Sequence, residues 1–361
     1  MIEMSVSGLM SHLWSTLLES LRLFINTLRF LIGYSAFLIT GTTPKFATRA
    51  LAHLSSFSNG RLNDLLSWFI SMRHPPDPVE DVTGTLGNLK KEDVKEIVSE
   101  IREKGYYVFD KKLSPEMCDK LLNFALTTPC TPMKMNHTDK LDAFGYVPEA
   151  PRIYDRDNPV SVRYDFAAQD LMQNSVVQNL ITDPTFLILA ENYLRSKPIT
   201  DINTMWWSNA SRGTEGSSSA GQFYHADLDR IRFFKFFVYL SDVDHNNGPH
   251  CFVEGSHKKK PRPLLRGSKR ISDDEMKQHY STDKLVELTG KRGTIVAVDN
   301  IGFHKGKALL EGERLILQIL YENSSFGSSY IPIEINEHFQ KNFTDYIQKH
   351  PRLATTYRWK T

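Results

Sequence analysis

The chain has 361 residues, 40% of them hydrophobic, which suffices for two ordinary domains or one large one with appendages and excludes a wholly disordered chain. Its 44 Lys and Arg against 42 Asp and Glu leave a net charge of only +2, so no global field recruits nucleic acid and no nucleic-acid partner is expected. Cys118, Cys130 and Cys251 are odd in number and lack CxxC spacing, which argues against a disulfide scaffold or a cysteine zinc site and for a reducing, cytoplasmic setting.

The N-terminus is the uneven part. Across residues 9–40 the only charges are Glu19, Arg22 and Arg29. Met10, Leu13, Trp14, Leu17, Leu21, Phe24, Ile25, Leu28, Leu31 and Ile32 follow the 3/4 spacing of one helix face, with Ser11, His12, Ser15, Glu19, Arg22, Asn26 and Arg29 opposite. A spanning helix wants about 20 uncharged apolar residues, and an arginine at mid-bilayer costs about 2.5–3.5 kcal/mol. The segment is therefore expected to lie on a membrane surface as a peripheral, interfacial helix; a span, or packing on the main domain or a partner, are the alternatives. A cleaved signal peptide fits poorly, because the apolar stretch starts late and no basic region precedes it. Residues 46–57 and 62–72 are weakly amphipathic, so 1–73 reads as a helical N-terminal extension. His74-Pro75-Pro76-Asp77-Pro78 then stops any helix, and 74–89 reads as a linker.

A main domain is expected over 90–330, with a helical tail over 331–361. It opens with a helix at 90–104, with Val94, Ile97, Val98 and Ile101 on one face and Gly105 as its C-cap, followed by a strand at 106–109. Ser114 opens a further helix through Phe124. From about Ile202 the texture changes to short strands rich in aromatic and β-branched residues at 204–207, 223–227, 233–240, 294–298 and 315–321, separated by turn signals. Strands at this spacing without alternating helices indicate a sandwich or small barrel. Residues 334–346 return to helix.

The sharpest local feature is His225-Ala226-Asp227. Residues two apart on a strand share a face, so the imidazole and carboxylate project into one space. His304, just after the strand at 294–298, is the best third ligand. Two His and one carboxylate leave positions open on a non-haem Fe(II) ion that reacts with O2. Arg314 follows ten residues later, at the start of a strand whose alternation places Arg314, Ile316, Gln318 and Leu320 on one face. An arginine facing into a barrel is expensive unless it meets an anion, and a dicarboxylate co-substrate supplies one.

These residues resemble the phytanoyl-CoA dioxygenase-like branch of the Fe(II)/2-oxoglutarate-dependent oxygenases. The resemblance runs from Glu100-Ile101-Arg102-Glu103-Lys104-Gly105-Tyr106-Tyr107-Val108 through the Gln222-x-x-His225-x-Asp227 block, Tyr239-Leu240-Ser241-Asp242-Val243, Asn247-Gly248-Pro249 and Gly255-Ser256-His257-Lys258 to His304 and Arg314. It implies a mainly β fold with flanking helices (α+β), a double-stranded β-helix of the jelly-roll or cupin-like type. His225, Asp227 and His304 would hold Fe(II), Arg314 the distal carboxylate of 2-oxoglutarate, and ascorbate could act as a supporting reductant. The reaction would be hydroxylation of a C–H bond of a small or lipid-like substrate, with release of succinate and CO2. The retained Asp227 favours hydroxylation, since relatives that halogenate have lost that carboxylate. The family usually has Leu after Gly-Pro and Pro before Gly-Ser-His, where this chain has His250 and Glu254, and both changes are expected to lie in a loop.

Further candidates are weighed against plainer readings. Lys235 interrupts an apolar strand and either pairs with an acid of co-substrate or substrate or sits at the barrel rim with its ammonium in water. Gln318 faces the same way as Arg314, and Gly306 matches a family position near the co-substrate carboxylate. One of Trp206 and Trp207 lines the substrate cavity and the other the core, and Gln222 is a further candidate substrate contact. His257 reads as a structural loop histidine; His245 and His250 read as loop residues without a partner. The acid-free basic run 258–270 either grips a phosphate-bearing substrate or anionic surface or is a solvated loop. Two rival functions remain, a non-catalytic jelly-roll binding module and a divalent-metal hydrolase using the same His/Asp site; the latter gives Arg314 no task.

Overall fold

The computed structural model describes residues 6–135, 146–210, 223–265 and 270–359. Three helices come first: α1 (Val6–Thr40), α2 (Lys45–Phe57) and α3 (Arg61–Arg73). The stretch expected as a linker instead carries a hairpin, β1 (Val82–Gly84) and β2 (Gly87–Leu89), tied down where Asp77 donates its backbone N–H to Glu191 and Thr85 donates to Asp183. Helix α4 (Lys91–Lys104) buries Val94, Ile97, Val98 and Ile101 and ends at Gly105, whose φ of 96° is the left-handed cap that glycine favours. Then come β3 (Tyr106–Val108), α5 (Pro115–Thr127) with Ser114 as N-cap, β4 (Cys130–Met135), β5 (Tyr146–Pro148) and β6 (Arg163–Phe166). Helices α6 (Ala168–Gln173), α7 (Ser175–Ile181) and α8 (Pro184–Leu194) follow, then β7 (Ile199–Thr200), β8 (Thr204–Asn209), β9 (Phe233–Tyr239) and β10 (His250–Val253). After α9 (Asp273–Lys277) the chain forms β11 (Leu285–Leu288), β12 (Ile295–Val298), β13 (His304–Gly306) and β14 (Glu313–Glu322). The expected C-terminal helix is two elements, β15 (Ile333–Ile335) and α10 (Lys341–Lys349), and β16 (Tyr357–Trp359) pairs back on β15.

Two sheets face each other. The larger runs β3-β12-β9-β14-β8-β6-β4-β5, with β7 added beside β14; the smaller is β11-β10-β13. Strand alternation assigns each face of the larger sheet a partner. Phe234, Phe236, Val238, Leu315, Leu317, Ile319 and Tyr321 point outward into the core formed with α4, α5, α7 and α8, where Phe186 stacks on Phe236 with ring centroids 4.2 Å apart. Trp206, Phe237, Tyr239, Val296, Val298 and Ile316 point inward and meet Phe252 and Leu288 of the smaller sheet. The result is the mainly β jelly-roll with flanking helices that the sequence implies.

The N-terminal helices are docked on this core. Leu51, Leu54, Phe30, Ile231 and Phe326 form one buried cluster, and Asn63 donates to the carbonyls of Arg230 and Ile231. Helix α1 meets α2 along Leu23, Phe30, Gly33, Tyr34 and Phe37, so the face expected to be its apolar side is the one left outside: Trp14, Leu17, Leu21, Phe24, Leu28, Leu31 and Ile32 are all exposed.

Candidate metal centre

Residues 223–227 are extended but join no ladder as a regular strand; they are held by isolated bridges from Tyr224 to Ile271 and from His225 to His304. The second bridge builds the site. His225 and His304 exchange backbone hydrogen bonds of 2.9 Å in both directions, which sets their rings side by side with centroids 4.3 Å apart. Asp227, two residues on, returns to the same face and donates its backbone N–H to Asn300. Each imidazole Nδ1 lies against a backbone carbonyl two residues before it, His225 on Phe223 at 3.1 Å and His304 on Gly302 at 3.0 Å. Donation from Nδ1 fixes the tautomer and leaves Nε2 as the basic nitrogen. The two Nε2 atoms bracket Asp227, one 3.7 Å from Oδ1 and the other 3.7 Å from Oδ2, and the ligand atoms of the three residues lie within 4.8 Å of one another. Two neutral imidazoles and one carboxylate on one side of a point are the donor set that suits non-haem Fe(II). Among the described residues this is the one His/Cys/Asp/Glu group close enough to hold a metal.

The electrostatics favour the metal-ready protonation state. Burial works against the Asp227 carboxylate, but Lys235, whose Nζ stands 2.9 Å from Oδ2, together with His304 and His225 holds it well below the usual carboxylate range. Burial pushes both His225 and His304 below the usual imidazole range, so they are neutral at neutral pH. Lys235 is therefore not at a wetted rim. It points inward, buried, and pairs with the metal-site carboxylate.

The other candidates separate by face. Arg314 is buried on the inner side of β14, with Nη2 3.4 Å from Ser208 Oγ. Gln318 lies further along the same face, opposite Phe237, and is half-buried. A Cβ added to Gly306 would meet nothing within 4 Å, so the strand there borders open space. Trp206 belongs to the inner layer beneath the Arg163 guanidinium, 4.7 Å from its ring. Trp207 does not line the cavity; it points into the outer core, stacked on Tyr154 and donating to the carbonyl of Ala125, because alternation places it on the helix-covered face. Gln222 lies outside the described residues, as do Arg266 and Lys269 of the basic run. In the rest of that run Lys258 pairs with Glu103 and Lys260 is buried over the Phe303 ring, while Lys259 and Arg262 are exposed. His257 accepts no metal role: its Nε2 lies 3.0 Å from the carbonyl of Arg102.

His250 is the residue that sequence reasoning misplaced. It opens β10, directly across from Gly306, and its ring stacks on His304 with centroids 5.4 Å apart and packs on Phe237 at 4.9 Å. Burial, with Lys235, Arg314 and His225 nearby, pushes its pKa down to about 3. The available signal was the departure from leucine after Gly-Pro.

The family model for phytanoyl-CoA dioxygenase matches residues 101–310, more than half of the chain. The chain belongs to the phytanoyl-CoA dioxygenase family. Members of this family are enzymes, Fe(II)/2-oxoglutarate-dependent oxygenases, and the His225–Asp227–His304 cluster fits the metal they use. A comparison with curated proteins finds no match. Among solved structures the chain is similar to HygX from Streptomyces hygroscopicus, solved with nickel, 2-oxoglutarate and hygromycin B, at 14% identity over 67% of this chain and 90% of that one, with a TM-score of 0.43. It is also similar to the 2-oxoglutarate-dependent epimerase SnoN of nogalamycin biosynthesis, at 17% identity over 64% and 84% with a TM-score of 0.43. EctD from S. alaskensis shows 17% identity over 69% and 83%, with a TM-score of 0.42.

Proposed function

We propose that this phytanoyl-CoA dioxygenase family member hydroxylates a C–H bond of a small or lipid-like molecule, with His225, Asp227 and His304 holding the iron and Arg314 holding the distal carboxylate of 2-oxoglutarate. The observation that carries this reading is the three-residue cluster whose ligand atoms lie within 4.8 Å of one another. Bound Fe(II), with O2 and the co-substrate, supplies an oxidant strong enough for an unactivated C–H bond, while 2-oxoglutarate leaves as succinate and CO2. The chain's own residues hold and orient. The carbonyls of Phe223 and Gly302 fix the imidazole tautomers, and Lys235 keeps Asp227 ionised within a buried site. Trp206, Phe237 and Phe252 supply apolar walls that exclude water from the reacting centre.

The test is spectroscopic. Anaerobic protein given Fe(II) and 2-oxoglutarate should show a weak visible charge-transfer band, and with O2 and substrate should form succinate. A folded, iron-loaded sample with no band would sink the oxygenase reading and leave the non-catalytic module. Arg314→Ala should weaken 2-oxoglutarate binding by roughly 10-fold or more, as expected for losing a charge-assisted pair, while leaving metal affinity unchanged.

We also propose that the N-terminal helices rest on a bilayer surface, which vesicle co-sedimentation tests. Among the described residues, 17 of the 23 exposed large hydrophobic side chains fall within the first 73 positions. The helical stretch Thr16–Thr40 is long and apolar enough to cross a membrane. Its Phe30, Tyr34 and Phe37 pack around Phe326 of the main domain, however, and a crossing orientation would strip that face from the core.

A further inference from the structure

Beside the metal cluster stands one polar side chain that the family pattern does not call for, His250. His250 is 8% exposed, and its Nε2 is fully buried without a hydrogen-bond partner among the described residues. Buried imidazole nitrogens are almost always paired, so an unpaired one calls for a ligand. Three observations place it. The ring stacks on His304, Phe237 packs against it, and Gly306, across the ladder on the same face, leaves open space beside it. A leucine, the residue expected after Gly-Pro, would fill this volume and offer no hydrogen bond.

We infer that His250 is a co-substrate-binding residue of this chain, with Nε2–H donating to an oxygen of bound 2-oxoglutarate in the space between the His225–Asp227–His304 cluster and Arg314. The inference rests on the proposed iron and co-substrate sites. A neutral imidazole is suited to this role: it gives a directional donor without adding a second full charge to that of Arg314. Phe237 and His304 both pack against the ring, which limits its motion and leaves less ordering to be done on binding.

The full-length protein loaded with Ni(II), which does not turn over, provides the test. 2-Oxoglutarate is titrated calorimetrically into wild type, His250→Leu, His250→Gln and Arg314→Ala, and the visible band of the anaerobic Fe(II) form is recorded for each. His250→Leu should bind 2-oxoglutarate about 10-fold or more weakly and shift the band, with Ni(II) affinity unchanged. His250→Gln, which keeps an N–H donor at similar reach, should recover most of the affinity. Equal affinity and an unmoved band in His250→Leu would overturn the inference while leaving the oxygenase reading in place. Wild type that fails to bind 2-oxoglutarate would remove both. Should His250→Leu not fold, the comparison of His250→Gln with His250→Asn decides, since the shorter amide cannot reach; equal affinities would count against the inference.

Discussion

Lys260 is 7% exposed, with Nζ 5.4 Å from the centroid of the Phe303 ring, and burial pushes its pKa down to about 8. An unfolded lysine titrates near 10.4, so between pH 8 and about 10 the unfolded chain binds more protons than the folded one. Stability contributed at this site therefore rises with pH across that window, and the cost of holding the charge is fully present below pH 8. Lys260→Met keeps the stem packed on Phe303 and removes the charge. It should stabilise the protein by about 2–3 kcal/mol at pH 7 and flatten the pH dependence between 8 and 10, read from urea melts at the two ends. A variant less stable than wild type at pH 7 would show instead that the ammonium is matched by an anionic neighbour. The same scale shows what the sequence could tell about the site. His225 and Asp227 were legible because two-residue alternation is a local rule, and His304 because motif order carries it. The places of His250 and Lys260 depend on which strands and helices come to lie over them, which is set by contacts far apart in sequence: β10 against β13 for one, the α2–α3 turn for the other.

At the scale of elements, α1 and α2 cross at Gly33, where a Cβ would stand 2.1 Å from that of Ala47. That approach lets Phe30, Tyr34 and Phe37 reach Phe326. Gly33→Val should force the helices apart. Limited proteolysis should then cut at residues 41–44 much faster than in wild type. Unchanged proteolysis would mean that α1 does not depend on this crossing. Periodicity correctly predicts a helix here and picks out the face that stays exposed, but not the second stripe that docks, Leu23 to Phe37 by way of Phe30 and Gly33, because α1 carries apolar residues on both sides and that stripe is the less continuous one. Helix α8 went unread for the opposite reason: nine of its eleven residues are buried, so it has no polar face to set a period. Residues 223–227 look like a strand yet make only isolated bridges, since their task is to bring two imidazoles to one point rather than to extend a ladder.

For the whole molecule, the docked N-terminal unit joins two requirements that pull against each other. Its inner side is bound to the core by Asn63 and by the cluster around Phe30 and Phe326, and its outer side presents Trp14, Phe24, Leu28, Leu31, Trp68 and Phe69 to the surroundings. A chain cut before the main domain would expose Ile231 and Phe326, so truncation confuses lost anchoring with lost stability. Introducing negative charge on the outer face avoids this. Phe24, Leu28 and Leu31 recur at i, i+4 and i+7 and are 61%, 44% and 55% exposed, so Phe24→Glu, Leu28→Glu and Leu31→Glu together should leave the fold intact. Residues 1–73 hold six Lys and Arg against three Asp and Glu, which favours an anionic surface. The wild-type chain should therefore co-sediment with phosphatidylserine-containing vesicles more strongly than with neutral ones and less strongly at high salt. The triple variant should lose at least about 10-fold in binding, because each of the three side chains gives up an apolar contact worth about 1.5 kcal/mol or more and gains a repelled charge. Its 2-oxoglutarate affinity should match wild type, since none of the three positions touches the barrel. Undiminished sedimentation of a folded triple variant would remove the bilayer from this account and leave a protein partner to cover the face.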